Sequence, residues 1–95
     1  MNRERLPDRR LNASFSFEFE NHRYRATVGR FADGRLAEIF LDVPGKLGTP
    51  LQANADTVAI LASLALQYGI PQDVIRQAVT GPLALALSRL SEGAA

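Results

Sequence analysis

The sequence predicts an α+β fold. Its parts are a three-stranded antiparallel meander packed on one long helix, then two shorter helices (βββααα). Three observations carry that prediction. Residues 13–31 alternate apolar and polar side chains on either side of a polar Asn21-His22 pair. A second run, Val28-Gly-Arg-Phe-Ala-Asp-Gly-Arg-Leu-Ala-Glu-Ile-Phe-Leu-Asp-Val43, reads as two strands around Asp33-Gly34. Asp-Gly between alternating apolar runs is a strong short hairpin signal. From Thr49 onward the period changes to that of helices, punctuated by Gly69-Ile70-Pro71 and Gly81-Pro82.

Composition sets the frame. Ninety-five residues form a single domain. A chain of this size buries only roughly 60–65% of its unfolded surface, so its stability is modest and dimerisation would help. The net charge of +1 argues against a dedicated nucleic-acid binder, which needs a basic excess, and against an acidic DNA mimic. The absence of cysteine excludes disulfides, thiolate catalysis and cysteine metal sites. A lone histidine, His22, cannot build a zinc site without carboxylate help. The Arg-rich start has no apolar core of a signal peptide, and the run 58–66 is too short to span a bilayer. The expected compartment is the cytoplasm, with no membrane attachment.

Residues 1–12 carry Arg3, Arg5, Arg9 and Arg10 against Glu4 and Asp8 and read as a flexible basic arm. Two roles stay open for it: a solvated tail, or a segment that folds onto an anionic partner or another subunit. The domain proper is expected over 13–90, with 91–95 as tail.

Strand 1 is predicted over 13–20, where Phe15, Phe17 and Phe19 alternate with Ser14, Ser16, Glu18 and Glu20. A two-residue turn at Asn21-His22 leads into strand 2, 23–31. That turn pairs Glu20 with Arg23, Phe19 with Tyr24, Glu18 with Arg25, Phe17 with Ala26 and Phe15 with Val28. The Asp33-Gly34 turn pairs Val28 with Ile39, Ala26 with Leu41, Tyr24 with Val43 and Arg25 with Asp42. One face is then apolar, and a Glu18–Arg25–Asp42 row crosses the other, worth about 0.2–1 kcal/mol per pair. The same parity places Phe31, Leu36 and Phe40 on the outer face. Together with Arg25 they are the predicted partner or dimer interface, unless the arm or a loop covers them.

Residues 44–48 form a loop. Lys46, Gly48 and Thr49, just before a helix, are a candidate anion-binding turn; glycines that only serve turn geometry are the alternative. Thr49 is the N-cap, Pro50 the first helical residue, and Gln52 completes a capping box. The helix is predicted over 50–68, stopped by Gly69. Leu51, Ala55, Val58, Ala62, Ala65 and Leu66 form its sheet-facing stripe. Ile60, Leu61 and Leu64 extend the apolar surface, and Gln52, Asp56, Ser63 and Gln67 keep a narrow polar stripe. Such a helix needs cover on more than one side, from the shorter helices (71–80 and 82–90) and from a second subunit.

No catalytic constellation is legible. His22 sits at a hairpin tip, and Glu38 and Asp42 lie four apart on one strand, too far for a coupled dyad. Asp56 belongs to the polar stripe. Without a nucleophile, base and orienting group in one place, the expectation is a protein that is not an enzyme and needs no metal or cofactor.

Two segments carry a resemblance. Tyr24-Arg-Ala-Thr-Val-Gly-Arg-Phe-Ala-Asp-Gly-Arg-Leu-Ala-Glu-Ile-Phe-Leu-Asp42, and Leu51-Gln-Ala followed by Leu64-Ala-Leu-Gln-Tyr-Gly-Ile-Pro71, resemble the TSCPD domain. That domain occurs at the C-terminus of adenosylcobalamin-dependent ribonucleotide reductases and in small standalone proteins. The likeness covers about 5–81. The family is named for a cysteine-containing motif; this chain has no cysteine, so the metal or redox roles of other members do not carry over. It also lacks the reductase barrel. The resemblance implies a non-catalytic accessory module that binds a larger protein, as a homodimer. A small-ligand or nucleotide-binding regulator using Lys46, and a phage or mobile-element inhibitor of a host defence complex (anti-CRISPR-like), are the alternatives.

Overall fold

The computed structural model describes residues 2–6 and 12–91. The elements are β1 (Asn12–Phe19), β2 (His22–Arg30), β3 (Leu36–Asp42), α1 (Pro50–Gln67), α2 (Gln72–Ala78) and α3 (Gly81–Ser91). The strands form one antiparallel sheet in the order β1-β2-β3. The α+β meander-plus-three-helices architecture is therefore as the sequence predicts.

The first hairpin differs by one step. Phe19 pairs with His22 and Phe17 with Tyr24, so the two turn residues are Glu20 and Asn21. Both lie in the left-handed region, at φ 48° and 66°, as this turn type demands. The register expected from an Asn21-His22 turn is off by two residues. A slip of two keeps every side chain on its face. Glu18 also finds an arginine either way, now Arg23 rather than Arg25. The row across the outer face therefore begins at Ser16, opposite Arg25, which pairs with Asp42. The ring stack of Phe17 on Tyr24, 5.4 Å between centroids and 9° from parallel, locks this register.

The second hairpin has the expected pairs, Val28–Ile39, Ala26–Leu41 and Arg25–Asp42. Its end is different. Phe31 N–H donates to Arg35 O (2.9 Å) and Gly34 N–H to Phe31 O (2.9 Å), so the loop has three residues. Of the Asp33-Gly34 pair only Gly34 takes a positive φ, 94°. The shorter register at the turn is reconciled with the strand body by a bulge. Gly29 pairs with Glu38 but Arg30 pairs with Leu36, leaving Ala37 as the extra residue.

The core joins Phe17, Tyr24, Val28, Ile39 and Leu41 of the sheet to the helices. From α1 come Ala55, Ala59, Ala62 and Leu66; from α3 come Leu83, Ala86, Leu87 and Leu90. Alanines let α1 approach closely, and the leucines of α3 fill the remainder of the face. α1 runs against β3, while α3 reaches β1. Val58, expected on the sheet-facing stripe, is 40% exposed.

The polar stripe of α1 has a specific task. β3 is an edge strand, and its outward backbone groups are met by side chains of α1. Ser63 Oγ accepts from Ile39 N–H (2.9 Å) and donates to Ile39 O (3.0 Å). Gln52 Oε1 accepts from Val43 N–H (2.7 Å), and its Nε2 donates to Leu41 O (3.1 Å). Gln67 Nε2 donates to Ala37 O (3.1 Å), at the bulge. All three side chains are buried. The cap of α1 is consequently one-sided. Gln52 N–H donates to Thr49 Oγ1 (3.3 Å), but the Gln52 side chain serves β3 instead of turning back to Thr49. Thr49 N–H is already bonded to Lys46 O (3.1 Å). Among the described residues, no helix is long and apolar enough to cross a membrane.

Two outcomes follow from this geometry. Ser63→Ala leaves both polar groups of Ile39 without their partner in a dry place. It should cost about 1–3 kcal/mol, read as a melting-temperature drop of roughly 4–8 °C per kcal/mol for a domain this size. An unchanged melt would show that the edge is held otherwise. Gly29→Ala puts a Cβ 2.5 Å from Glu38 Oε2 and 3.0 Å from its Cγ. The buried Glu38 must move, and a loss of about 1–3 kcal/mol is expected in denaturant titration.

Candidate functional site

The helices cover one face of the sheet and leave the other open. In the middle of the open face stands Phe40, 46% exposed, between buried Ile39 and Leu41. It faces Thr27, which in turn faces Ser14; the two hydroxyls lie 3.1 Å apart. Arg25 is exposed in the neighbouring row. Phe40 and Arg25 are where the sequence places them. Phe31 and Leu36 are not. They are 5% and 4% exposed, and Leu36 joins the core. The Ala37 bulge turns Leu36 to the other face, and Arg35 covers Phe31, so the expected three-residue outer patch of Phe31, Leu36 and Phe40 does not exist as one surface.

Arg35 seals the buried Phe31. Its guanidinium lies 4.7 Å from the ring centroid. Nε donates to Asp33 Oδ2 (2.7 Å), and Nη2 reaches both oxygens of Glu4, at 3.0 and 2.9 Å. Asp33 Oδ1 also accepts from the Arg35 backbone N–H (3.1 Å). That backbone bond, then the guanidinium, hold the Asp33 carboxyl below the usual carboxylate range, while the two carboxylates push Arg35 up. Behind Arg35 is a recess of about 220 Å³ lined by Phe31, Leu36, Leu66 and Ile70 among others.

The predicted basic arm divides. Arg3 Nε donates to Gln67 Oε1 (2.6 Å) and Glu4 N–H to Gln67 O (2.7 Å), so this segment is bound to the C-terminal end of α1. Arg5 is exposed. Arg9 and Arg10 lie outside the described residues.

At the other end of α1, the candidate anion turn is occupied with its own geometry. Thr49 Oγ1 donates to Lys46 O (2.6 Å) while accepting from Gln52 N–H. Gly48 has φ 81°. Lys46 is exposed beside Leu47, which is 94% exposed. A second recess, about 250 Å³, opens where the first hairpin meets the helices, lined by Phe19, Tyr24, Leu51, Val58 and Leu83 with Glu20 at its rim. Burial, then the Glu20 charge, pushes the Tyr24 phenol up.

Sequence reasoning marked Ile60, Leu61 and Leu64 as apolar surface that needs cover, but did not place them among the site residues. Ile60 and Leu61 are 54% and 62% exposed, and Tyr68 just beyond the helix is also exposed. With Ala53, Thr57 and Leu64 they form a stripe at spacing 53, 57, 60, 61, 64, 68, opposite the residues that face the sheet. The spacing was there to be read; what was missing was the direction in which the helix turns its polar stripe. Among the described residues, no three His, Asp or Glu side chains are grouped to hold a metal ion.

A β-meander closed by a polar-striped helix and two short helices makes this chain a small α+β domain. The TSCPD domain model matches residues 5–82, and the chain belongs to that family. Similar proteins include the vitamin B12-dependent ribonucleotide reductases of Bradyrhizobium diazoefficiens, 40% identical over 78 residues, and Agrobacterium fabrum, 38% over 78. Each match covers 82% of this chain and 6% of the reductase. The corresponding reductase of Rhodopirellula baltica is 37% identical over 73 residues, 77% of this chain and 7% of its own. No solved structure matches.

Asp33 offers a pH test. A carboxyl with a lowered folded pKa contributes stability that is complete above its ordinary value, 3.8, and is lost as pH falls through the folded value. Asp33→Asn keeps the acceptor for the Arg35 backbone but removes the charge. Its melting temperature should lie slightly below wild type near pH 7, and the gap should close as pH falls through the folded value. A gap that stays constant over that range would rule the carboxylate out as its source.

Proposed function

We propose that this protein is a non-catalytic interaction module that docks on a larger protein through the open face of its sheet. Phe40 is the anchor and Arg25 its charged neighbour. The observation that carries this reading is the position of Phe40. A phenylalanine mid-strand, exposed between two buried residues, contributes nothing to its own core. Aromatic and arginine side chains are the groups that most often anchor protein contacts, and a hydroxyl row beside them suits a polar rim.

Family membership supports the choice of partner. The similar reductases carry a domain of this kind within chains that are more than tenfold longer, as the 6% coverage implies. The larger protein in this reading is the body of a vitamin B12-dependent ribonucleotide reductase, and the working compartment is the cytoplasm. The module contributes contact; Asp33, Glu4 and Arg35, its closest cluster of charged groups, hold one another and the loop.

Binding of the purified module to a purified vitamin B12-dependent reductase, followed by biolayer interferometry, tests the reading. Wild type should bind saturably and Phe40→Asp at least about tenfold more weakly. Circular dichroism should show the variant folded, since the side chain is not in the core. Absence of wild-type binding, or an equal affinity for the variant, refutes it.

A further inference from the structure

We infer that a second copy of this chain covers the outer face of α1, in an antiparallel two-fold pairing centred between Ile60 and Leu61. This surface is separate from the sheet face and stands independently of the function proposed for it.

The first argument is charge. α1 has eighteen residues and a single ionisable one, Asp56. Asp56 is drawn towards β3, where its Oδ1 accepts from Gln52 Nε2 (2.8 Å). The outer stripe of Ala53, Thr57, Ile60, Leu61, Leu64 and Tyr68 is uncharged. Two such faces meet without like-charge repulsion and without burying an unpaired charge.

The second argument is shape. A two-fold contact sets each residue of one copy against a fixed residue of the other. An axis between Ile60 and Leu61 sets these two against each other, Leu64 against Thr57, and Tyr68 against Ala53. Away from the central Ile60–Leu61 pair, the bulky end of one stripe meets the small end of the other, as close packing requires. A parallel pairing would set Tyr68 on Tyr68 and Ala53 on Ala53, a crowd at one end and a gap at the other. Tapering that compensates itself under a two-fold axis favours a second copy over an unrelated helix.

The third argument is extent. At 1.5 Å per residue α1 is roughly 27 Å long and about 10 Å wide. Exposed apolar residues stand near both ends of α1: Leu47 before the helix, at 94%, and Ile70 and Val74 after it. Antiparallel pairing brings the Leu47 end of one copy to the Ile70 and Val74 end of the other. Length times width gives roughly 270 Å² of helix face before these end residues are added, the scale of apolar patches that mark contact sites.

Light scattering on the full chain during size exclusion tests this. Wild type should give twice the 10.4 kDa chain mass, and so should Phe40→Asp, which touches only the sheet face. Leu61→Asp should fall to the single-chain mass with its circular dichroism intact, because Leu61 is an exposed position. The pairing register is tested by Thr57→Lys and Leu64→Glu, each expected to weaken self-association. Mixed together they should form a heterodimer, since the antiparallel register joins the new lysine to the new glutamate. A monomeric wild type, a dimer that survives Leu61→Asp, a dimer lost in Phe40→Asp, or a mixture that fails to pair each overturns the inference.

Discussion

The structure depends on how the open edge of β3 is closed. An edge strand presents a row of backbone N–H and C=O groups that must be met by water or by other polar groups. Here Gln52, Ser63 and Gln67 of α1 meet them one after another along the strand. The helix thus does more than cover an apolar face. It stands in for a fourth strand, with side chains doing what a neighbouring backbone would do. Buried side-chain bonds of this kind are directional, so they set the rotation of α1 about its own axis in a way that alanine packing alone would not.

That rotation has consequences further out. Once the polar stripe is committed to β3, Ala55, Ala59, Ala62 and Leu66 fall on the core side. Ile60 and Leu61 then have nowhere to go but outward. This exposed apolar surface is a by-product of satisfying the edge. At the C-terminal end the same helix holds Glu4 and Arg3 through Gln67, and Glu4 in turn holds Arg35 over Phe31. One end of the sheet, the N-terminal segment and the helix terminus therefore form a single polar network around one buried ring.

The sequence was informative where a period or a turn residue spoke alone. Three strands, the long helix from Thr49 to Gly69, the Val28–Ile39 register and the exposed Phe40 were all legible. So was the family, from runs of residues rather than from any single motif. Legibility failed where two choices satisfied the same pattern. A slip of two residues in the first hairpin keeps the apolar face, an arginine opposite Glu18 and a phenylalanine opposite Tyr24, so pattern could not choose; the chain turns at Glu20-Asn21 and stacks Phe17 on Tyr24. The bulge at Ala37 carries no sequence mark of its own, yet it moved Leu36 from the expected surface to the interior, while Arg35, held by Glu4, closed over Phe31.

Alternation and helical spacing by themselves determined which segments are strands and helices and which side chains share a face, because those are local properties of the backbone. Only the tertiary structure decided what each face meets. The same glutamines and serine that read as a narrow polar stripe became the partners of an edge strand, because unpaired backbone groups are costly to leave dry and α1 lies along β3. From that decision follow both surfaces available for contact: the bare sheet face around Phe40 and the apolar back of α1.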